Sequence, residues 1–360
     1  MFEVNNWTYG KNKIYKTQLN EPSKNSISVI SGITQNNGIN YYTIDKLTEQ
    51  EIFKEELTIS TRGEYSGTVF YHSEKFVLAN NILVMKMSNL TKNQKIFIGC
   101  QINSLSYGGY SGYPRKETLK NDKIQLPTKN GEIDFEFMES FIAELEAERV
   151  AELEAYLVAT GLRDYNLTTE EEKVLEQFKS GDFNWGEFKI GELFNIATGR
   201  DVIIGRVVNG NIPLISHQHN NNGITKKITQ LTNRRLFDFN NTLALADRGV
   251  FLATTQNENF HIGTRVKALN FKSGDILLEN RLFLVSSINK LQVLFTDYSD
   301  NATDDLPNLS IQLPIKDNHV DYDIMELLVS AIQKLVIKDV VLYADQKISA
   351  TKSVIKKHNT

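Results

Sequence analysis

Three groups of residues in this chain of 360 have the types and spacing for chemistry. His217-Gln218-His219 is its one close histidine pair. Two imidazoles can begin a metal site, but no cysteine or carboxylate stands beside them to complete a ligand set. A loop or base-contacting role for His217 and His219 is the stronger reading. The second group is residues 106–116, where Tyr107, Tyr110 and Tyr113 sit among glycines and the run ends in Arg115-Lys116. Rigid amphipathic rings on a closely approachable backbone suit a recognition loop. The cations suit phosphate, and arginine can also grip guanine with two hydrogen bonds. An ordinary surface loop with its tyrosines folded back onto the core is the competing reading. The third group is Arg62-Gly63-Glu64-Tyr65 and, far downstream, an asparagine run at 220–222 beside Lys226-Lys227, followed by Arg234-Arg235, Arg248, Arg265 and Arg281. Asparagine can pair with an adenine edge, although asparagine runs are also common turn chemistry.

Catalytic motifs are missing from the same sequence. It holds no Walker loop, no G-x-G-x-x-G, no H-E-x-x-H, no G-x-S-x-G and no Pro-Pro pair of the kind adenine methylation uses. Catalysis by this chain alone is not expected. The single cysteine, Cys100, excludes a disulfide framework and a cysteine-based zinc site. The first residues, MFEVNNWTYGKNK, lack the apolar core of a signal peptide, and no run reaches the roughly 18 apolar residues of a membrane span. A cytoplasmic protein without membrane contact is expected.

The elements that must position these loops occur twice. IQLP stands at 124–127 and 311–314, NNGI at 36–39 and 221–224, and Arg-Gly ends a strand-like run at LTISTRG and at LALADRG. Phe137-Met138-Glu139 matches Ile324-Met325-Glu326. All four offsets fall between 185 and 187, in one order, which is domain duplication rather than a solenoid period. Each copy opens with short apolar runs, such as SISVISGI and KFVLANNILVMKM or NIPLISH and RLFLVSSI, broken by Asn, Gly, Ser and Thr. These read as strands.

Helical sequence follows in each copy. In the first, a helix starts near Asp134 and reads FMESFIAELEAERVAELEAYLVATG, with Gly161 as its stop. A second helix begins with Thr168 or Thr169 as cap and Glu171 or Glu172 three residues on. In the second copy, Met325, Leu328, Ile332, Leu335 and Leu342 keep a 3-4 spacing, with Asp339 in the remaining slot. That is the seam of a paired helix or the apolar face of one helix lying on its own domain. The expected fold class is α+β: two tandem mixed α/β globules separated by long helices.

Net charge is −4, which taken whole argues against a nucleic-acid partner. It is unevenly placed. Residues 1–135 carry 16 basic and 13 acidic side chains, 136–180 carry 4 and 12, 181–320 carry 14 and 14, and 321–360 carry 6 and 5. The acidic excess lies on the first helical spacer, so the globules are free to meet DNA.

The order globule, long helix, globule, long helix resembles the DNA-specificity (S) subunits of type I restriction–modification systems and of the related bcgI-like systems. FNWGEFKIGELFNIATGR at 183–200 is similar to the family's opening of a recognition domain. NGNIPLIS followed by NNGI resembles its next strand and turn. LTISTRG and LALADRG resemble the strand ending in Arg-Gly, and IQLP leading into DFEFMESFIAELEAERV resembles the passage into a spacer helix. The first copy departs from the pattern in lacking a good FKIGELFNIATG counterpart, with Trp7 to Ile27 spanning 20 residues against 27 from Trp185 to Ile212.

The resemblance implies target recognition domains over 1–135 and 181–320, each reading one half of a split duplex DNA site. It implies helical spacers over 136–180 and 321–360 that pack as an antiparallel coiled coil and set the distance between the half-sites. Two DNA adenine methyltransferase subunits per chain would dock there, with or without a restriction/translocase subunit. Those partners would hold S-adenosylmethionine, and this chain would hold no cofactor or metal. The candidate DNA-binding residues are Arg62, Tyr65, Tyr107, Tyr110, Tyr113, Arg115, Lys116, His217, His219, Lys226, Arg248 and Arg265. The candidate partner-binding residues are Phe141, Leu145, Leu153, Leu328, Ile332 and Leu335. A duplicated protein- or carbohydrate-binding scaffold is the alternative.

Overall fold

The computed structural model describes residues 7–10, 14–105, 107–108, 112–295, 302 and 304–358, with side chains as far as residue 349. The chain divides into two compact units. The first is residues 1–153 with 347–360, and the second is 154–346.

In the first unit the apolar runs become β1 (Thr8–Tyr9), β2 (Ile27–Ile30), β3 (Ile39–Thr43), β4 (Glu56–Ser60), β5 (Val69–His72), β6 (Phe76–Leu78) and β7 (Ile82–Met85). One sheet has the order β1-β7-β4-β5, and a second has the order β3-β2-β6, with β2 and β6 parallel. Helix α1 (Lys92–Asn103) starts on a Thr91/Gln94 capping box. Its Ile98 and Ile102 join Leu57, Ile59, Val69, Leu83 and Met85 in one core. Then come α2 (Lys116–Asn121), the short hairpin β8 (Thr128–Lys129) and β9 (Glu132–Ile133), and the long helix α3 (Phe135–Ala159). The Phe137 N–H donates to the Asp134 carboxylate, which caps α3.

The second unit contains α4 (Thr169–Ser180), capped by Thr168 with Glu171 closing the box. It continues through β10 (Trp185–Lys189), α5 (Ile190–Leu193), β11 (Phe194–Thr198), β12 (Asn209–Ile215), β13 (Ile224–Ile228), β14 (Thr242–Asp247), β15 (Phe251–Thr254), β16 (His261–Ile262) and β17 (Val266–Phe271). Helix α6 (Leu278–Asn289), the hairpin β18 (Ser310–Lys316) and β19 (His319–Val320), and α7 (Tyr322–His358) as far as residue 346 complete it, the rest of α7 belonging to the first unit. The sheet order β11-β17-β14-β15 repeats that of the first unit, and β13-β12-β16 repeats the other, again with a parallel pair.

The duplication extends to single hydrogen bonds. The NNG turns at 36–38 and 221–223 have the same backbone, with Asn37 at φ 52°, ψ 33° and Asn222 at φ 51°, ψ 33°. The amide of Asn37 donates to the Tyr71 carbonyl at 3.0 Å, and that of Asn222 donates to the Thr255 carbonyl at 2.7 Å. The last residue of α1, Asn103, clamps the Val69 N–H and carbonyl. Asn289, the last of α6, does the same to Ala253. Each clamp satisfies two backbone groups that would otherwise be orphaned in a packed interface.

Five sequence expectations change. RLFLVSSI, read as a strand, lies within helix α6, since a short apolar run alone does not tell a strand from a buried helix. Trp7 is not the counterpart of Trp185. Tyr9 pairs with Leu83 and Thr198 with Lys267 in matching registers, so Tyr9-Gly10 answers to Thr198-Gly199 and Trp7 to Ile196. A Cβ on Gly10 would lie 1.9 Å from the Ala79 carbonyl oxygen, and one on Gly199 would lie 2.0 Å from that of Gly263. Both copies therefore keep a glycine where two backbones touch.

The two IQLP stretches also differ. At 311–314 it lies in β18 and pairs with β10, whereas 124–127 is irregular and no counterpart of β10 occurs among the described residues of the first unit. The predicted seam of α7 holds for its first turns only. Met325 and Leu328 are buried, but burial then passes to Ala331, Val341 and Ala344, leaving Ile332, Leu335 and Leu342 more than 40% exposed. Small residues allow the closest backbone approach, and the larger side chains turn outward. Finally, Arg281 is buried, with its guanidinium donating to the Phe239 carbonyl. It is a structural cation, as is Lys95, which bonds the Glu55 carbonyl and Glu56 at the matching place in the first unit.

His72 yields a pH prediction. Burial pushes its imidazole down from 6.5 to about 4, and Nε2 lies 2.9 Å from Thr58 Oγ1. The folded ring stays neutral where an unfolded one protonates. The resulting penalty is absent above pH 6.5, grows as pH falls, and is complete below about pH 4, where it reaches about 3 kcal/mol. The second unit has Gln256 at the matching position, bonded to the Asn222 carbonyl and Thr254. His72→Gln is expected to flatten the fall in denaturant midpoint between pH 7 and pH 4.5; an unchanged slope contradicts this origin.

Candidate nucleic-acid interface

The antiparallel pairing of β4 with β7 brings the end of one strand beside the start of the other. Thr61, just beyond β4, therefore faces Asn81, just before β7, with Arg62 next along the same edge. The N–H and hydroxyl of Thr61 both donate to the Asn81 carbonyl, at 2.7 and 2.8 Å, and fix the two ends together. Arg115 comes to the same edge because the Lys116 N–H donates to the Tyr9 hydroxyl at 3.0 Å. The Lys116 ammonium lies over the Tyr9 ring, 5.5 Å from its centroid. The result is an open groove of about 470 Å³ lined by Tyr9, Gly10, Thr61, Arg62, Asn81 and Arg115.

Arg62 and Arg115 are exposed, and neither makes an ion pair among the described residues. Two unneutralised guanidiniums on one groove attract an anion. Tyr65 stands 47% exposed in the turn after Arg62. Tyr107 is half-buried against Gly67, and its hydroxyl donates to Asp122, so this ring braces the loop. Tyr113 is half-buried. Tyr110 lies outside the described residues.

In the second unit the same edge presents Arg248, exposed after β14, and Arg265, half-buried before β17. The Asp247 N–H donates to the Arg265 carbonyl at 3.3 Å, as Thr61 does to Asn81. Behind them Lys267 Nζ lies 3.4 Å from the Asp247 carboxylate and 3.1 Å from the Thr198 hydroxyl, with side chains 7% and 1% exposed for the ion pair. His217 and His219 are exposed in the loop before the NNG turn. Lys226 is committed elsewhere, since its ammonium donates to the Val207 carbonyl at 3.1 Å. Lys227 pairs with Glu258, Arg234 bonds two carbonyls, and Arg235 lies over the Phe237 ring. Asn221 and Asn222 spend their amides on the turn, donating to the Ile224 and Thr255 carbonyls. No group of three or more His, Cys, Asp or Glu side chains is placed to hold a metal among the described residues.

The helices carry their own exposed apolar surface. On α3, Phe137 and Phe141 stack at 5.8 Å and both meet Phe97 edge-on, and Leu145 continues the line at 40% exposure. On α7, Ile332, Leu335 and Val336 are 42%, 47% and 73% exposed. Leu153 is half-buried. Leu328 is 2% exposed and packs with Val174, Leu175 and Phe183, which leaves it no surface for a second subunit.

The profile of the Type I restriction modification DNA specificity domain matches residues 1–155 and 183–342, once on each copy. The chain belongs to this family. It is thus a DNA-specificity protein, the non-catalytic kind of subunit in a restriction–modification system. It is 27% identical over 290 residues to the Type II restriction enzyme BgcI specificity subunit S.BcgI of Heyndrickxia coagulans, covering 77% of this chain and 78% of that one. Its fold is similar to the S subunit of a type I restriction–modification system from M. genitalium, with a TM-score of 0.58 and 14% identity over 99% of this chain and 93% of that one. The alternative of a protein- or carbohydrate-binding scaffold gains no support from these matches. No helix among the described residues is long and apolar enough to cross a membrane.

Sequence reasoning missed Tyr9 and Asn81. No motif marks either one. Only the strand registers bring them beside Arg62.

Proposed function

We propose that each copy reads one half of a bipartite duplex DNA site, through the strand-end edge that carries Arg62 and Arg115 in the first copy and Arg248 and Arg265 in the second. The observation that carries this reading is the recurrence of an exposed arginine at the same strand end in both copies of a DNA-specificity family member. Tyr65, Tyr113, Lys116, His217 and His219 line the surrounding loops and supply further contacts to backbone or bases. The spacers of α3 with α4 and of α7 pair as an antiparallel coiled coil that fixes the distance between the half-sites. Lys347 reaching Glu146 at 3.3 Å supports that pairing. So does Arg163, which joins Glu154 and Asp345.

The exposed Phe137, Phe141 and Leu145 on α3 and Ile332, Leu335 and Val336 on α7 dock two DNA adenine methyltransferase subunits, which bind S-adenosylmethionine. Such apolar patches among charged residues fit protein partners. The acidic excess of 136–180 keeps that spacer off the phosphates.

A gel shift with the full chain co-expressed with its methyltransferase tests the reading. Affinity is expected to fall steeply and log-linearly with salt, and Arg62→Ala and Arg248→Ala are each expected to lower that slope by about one. Absent or salt-insensitive binding of the assembled complex contradicts it.

A further inference from the structure

The strand registers superpose the two copies residue by residue at the proposed DNA edge. Ser60 pairs with Ile82 in the first, and Ala246 with Val266 in the second. Stepping one residue outward places Thr61 with Asp247 and Asn81 with Arg265, and a second step places Arg62 with Arg248. The backbone agrees with this assignment. Asn81 and Arg265 both have φ +63°, the left-handed conformation uncommon outside glycine, and both accept at their carbonyl from the residue before the shared arginine.

One position at this edge is thus constant, arginine in both copies, while the position across the strand end, Asn81 in the first and Arg265 in the second, differs in chemistry. A group that serves the same purpose whatever the sequence is a phosphate anchor. A group that must differ between half-sites is a base reader. Asn81 is exposed, lines the groove between Arg62 and Arg115, and its side-chain amide makes no hydrogen bond within the described residues. The two Thr61 hydrogen bonds to its carbonyl fix the backbone from which that amide projects.

We infer that Asn81 and Arg265 occupy one equivalent position at which each copy selects a base, adenine through the Asn81 amide in the first half-site and guanine through the Arg265 guanidinium in the second. Asparagine presents a donor and an acceptor to the N6 and N7 of adenine, and arginine presents two donors to the O6 and N7 of guanine. Arg62 and Arg248 hold the flanking phosphates. This rests on the DNA reading proposed above and names the base determinant within it.

The test is selection and sequencing of a randomised duplex pool by the full chain in complex with its methyltransferase. Arginine is already accommodated at φ +63° in the second copy, so Asn81→Arg has a backbone precedent. That variant is expected to convert one adenine of the first half-site to guanine and leave the second half unchanged. Asn81→Asp keeps the shape and the left-handed preference but loses the donor. It is expected to reduce the preference for that adenine by about 5- to 100-fold, and it decides the matter if the arginine variant fails to assemble. Unchanged base preference in both variants overturns the inference while leaving the DNA reading intact, and a change in both halves at once overturns the inference together with the reading of one half by each copy. A wild-type complex that selects no bipartite sequence overturns the DNA reading itself.

Discussion

Lys267→Met is expected to destabilise the second unit by about 3–5 kcal/mol, the cost of removing one member of a buried ion pair. Lys267 and Asp247 are 7% and 1% exposed at the side chain and lie 3.4 Å apart. Methionine keeps most of the stem, so packing changes little. What is lost is the cation facing a carboxylate that has almost no access to water. The effect reaches the proposed DNA edge, because Asp247 precedes Arg248 and its N–H holds the Arg265 carbonyl. The first unit has Thr61 and Leu83 at these two places and carries no such charge pair. Denaturant unfolding followed at the two units checks this. The second unit's midpoint is expected to fall while the first's stays. The double variant Lys267→Met with Asp247→Asn is expected to recover part of the loss, since both charges are then gone. A single variant within 0.5 kcal/mol of wild type would show that the pair contributes nothing.

The duplication was legible in the sequence because its matching residues are those that geometry constrains. The NNG turns need asparagine at positive φ with an amide that bonds a neighbouring strand. Arg-Gly ends β4 and β14 at the same edge. The α3 sequence declares its helix through composition, and Thr168 with Glu171 declares the start of α4. The Asn103 and Asn289 clamps were also within reach, since Ile102-Asn103 and Ile288-Asn289 recur at the offset of 186.

Other features could not be read in advance. Asn81 precedes ILVMKM and Arg265 precedes VKALNF, sequences alike only in apolar character, and only sheet pairing makes them equivalent. The seam of α7 drifted because spacing alone does not say whether Ala331 or Ile332 faces inward. Packing chose the alanine. Lys226 and Arg281 looked like free cations in a basic stretch, but each satisfies a backbone carbonyl. A cation's availability is a property of its neighbours in space, and the sequence does not place them.

Exchange of residues 1–134 for the corresponding piece of another family member carries the largest functional effect, and it tests modular reading of DNA directly. The cut falls immediately before α3, so the spacers stay those of this chain. The hybrid presents a foreign edge in place of Arg62, Asn81 and Arg115 and keeps Arg248 and Arg265. Affinity for the original site is expected to drop toward the non-specific level, about 1,000-fold or more. The decisive measurement is sequencing of the sites methylated in cells by the assembled complex, for the wild-type chain and for the hybrid. A bipartite motif whose one half changes in the hybrid, with the other half and the spacing retained, is the predicted result. A motif that changes in both halves, or one that does not change at all, would contradict the account.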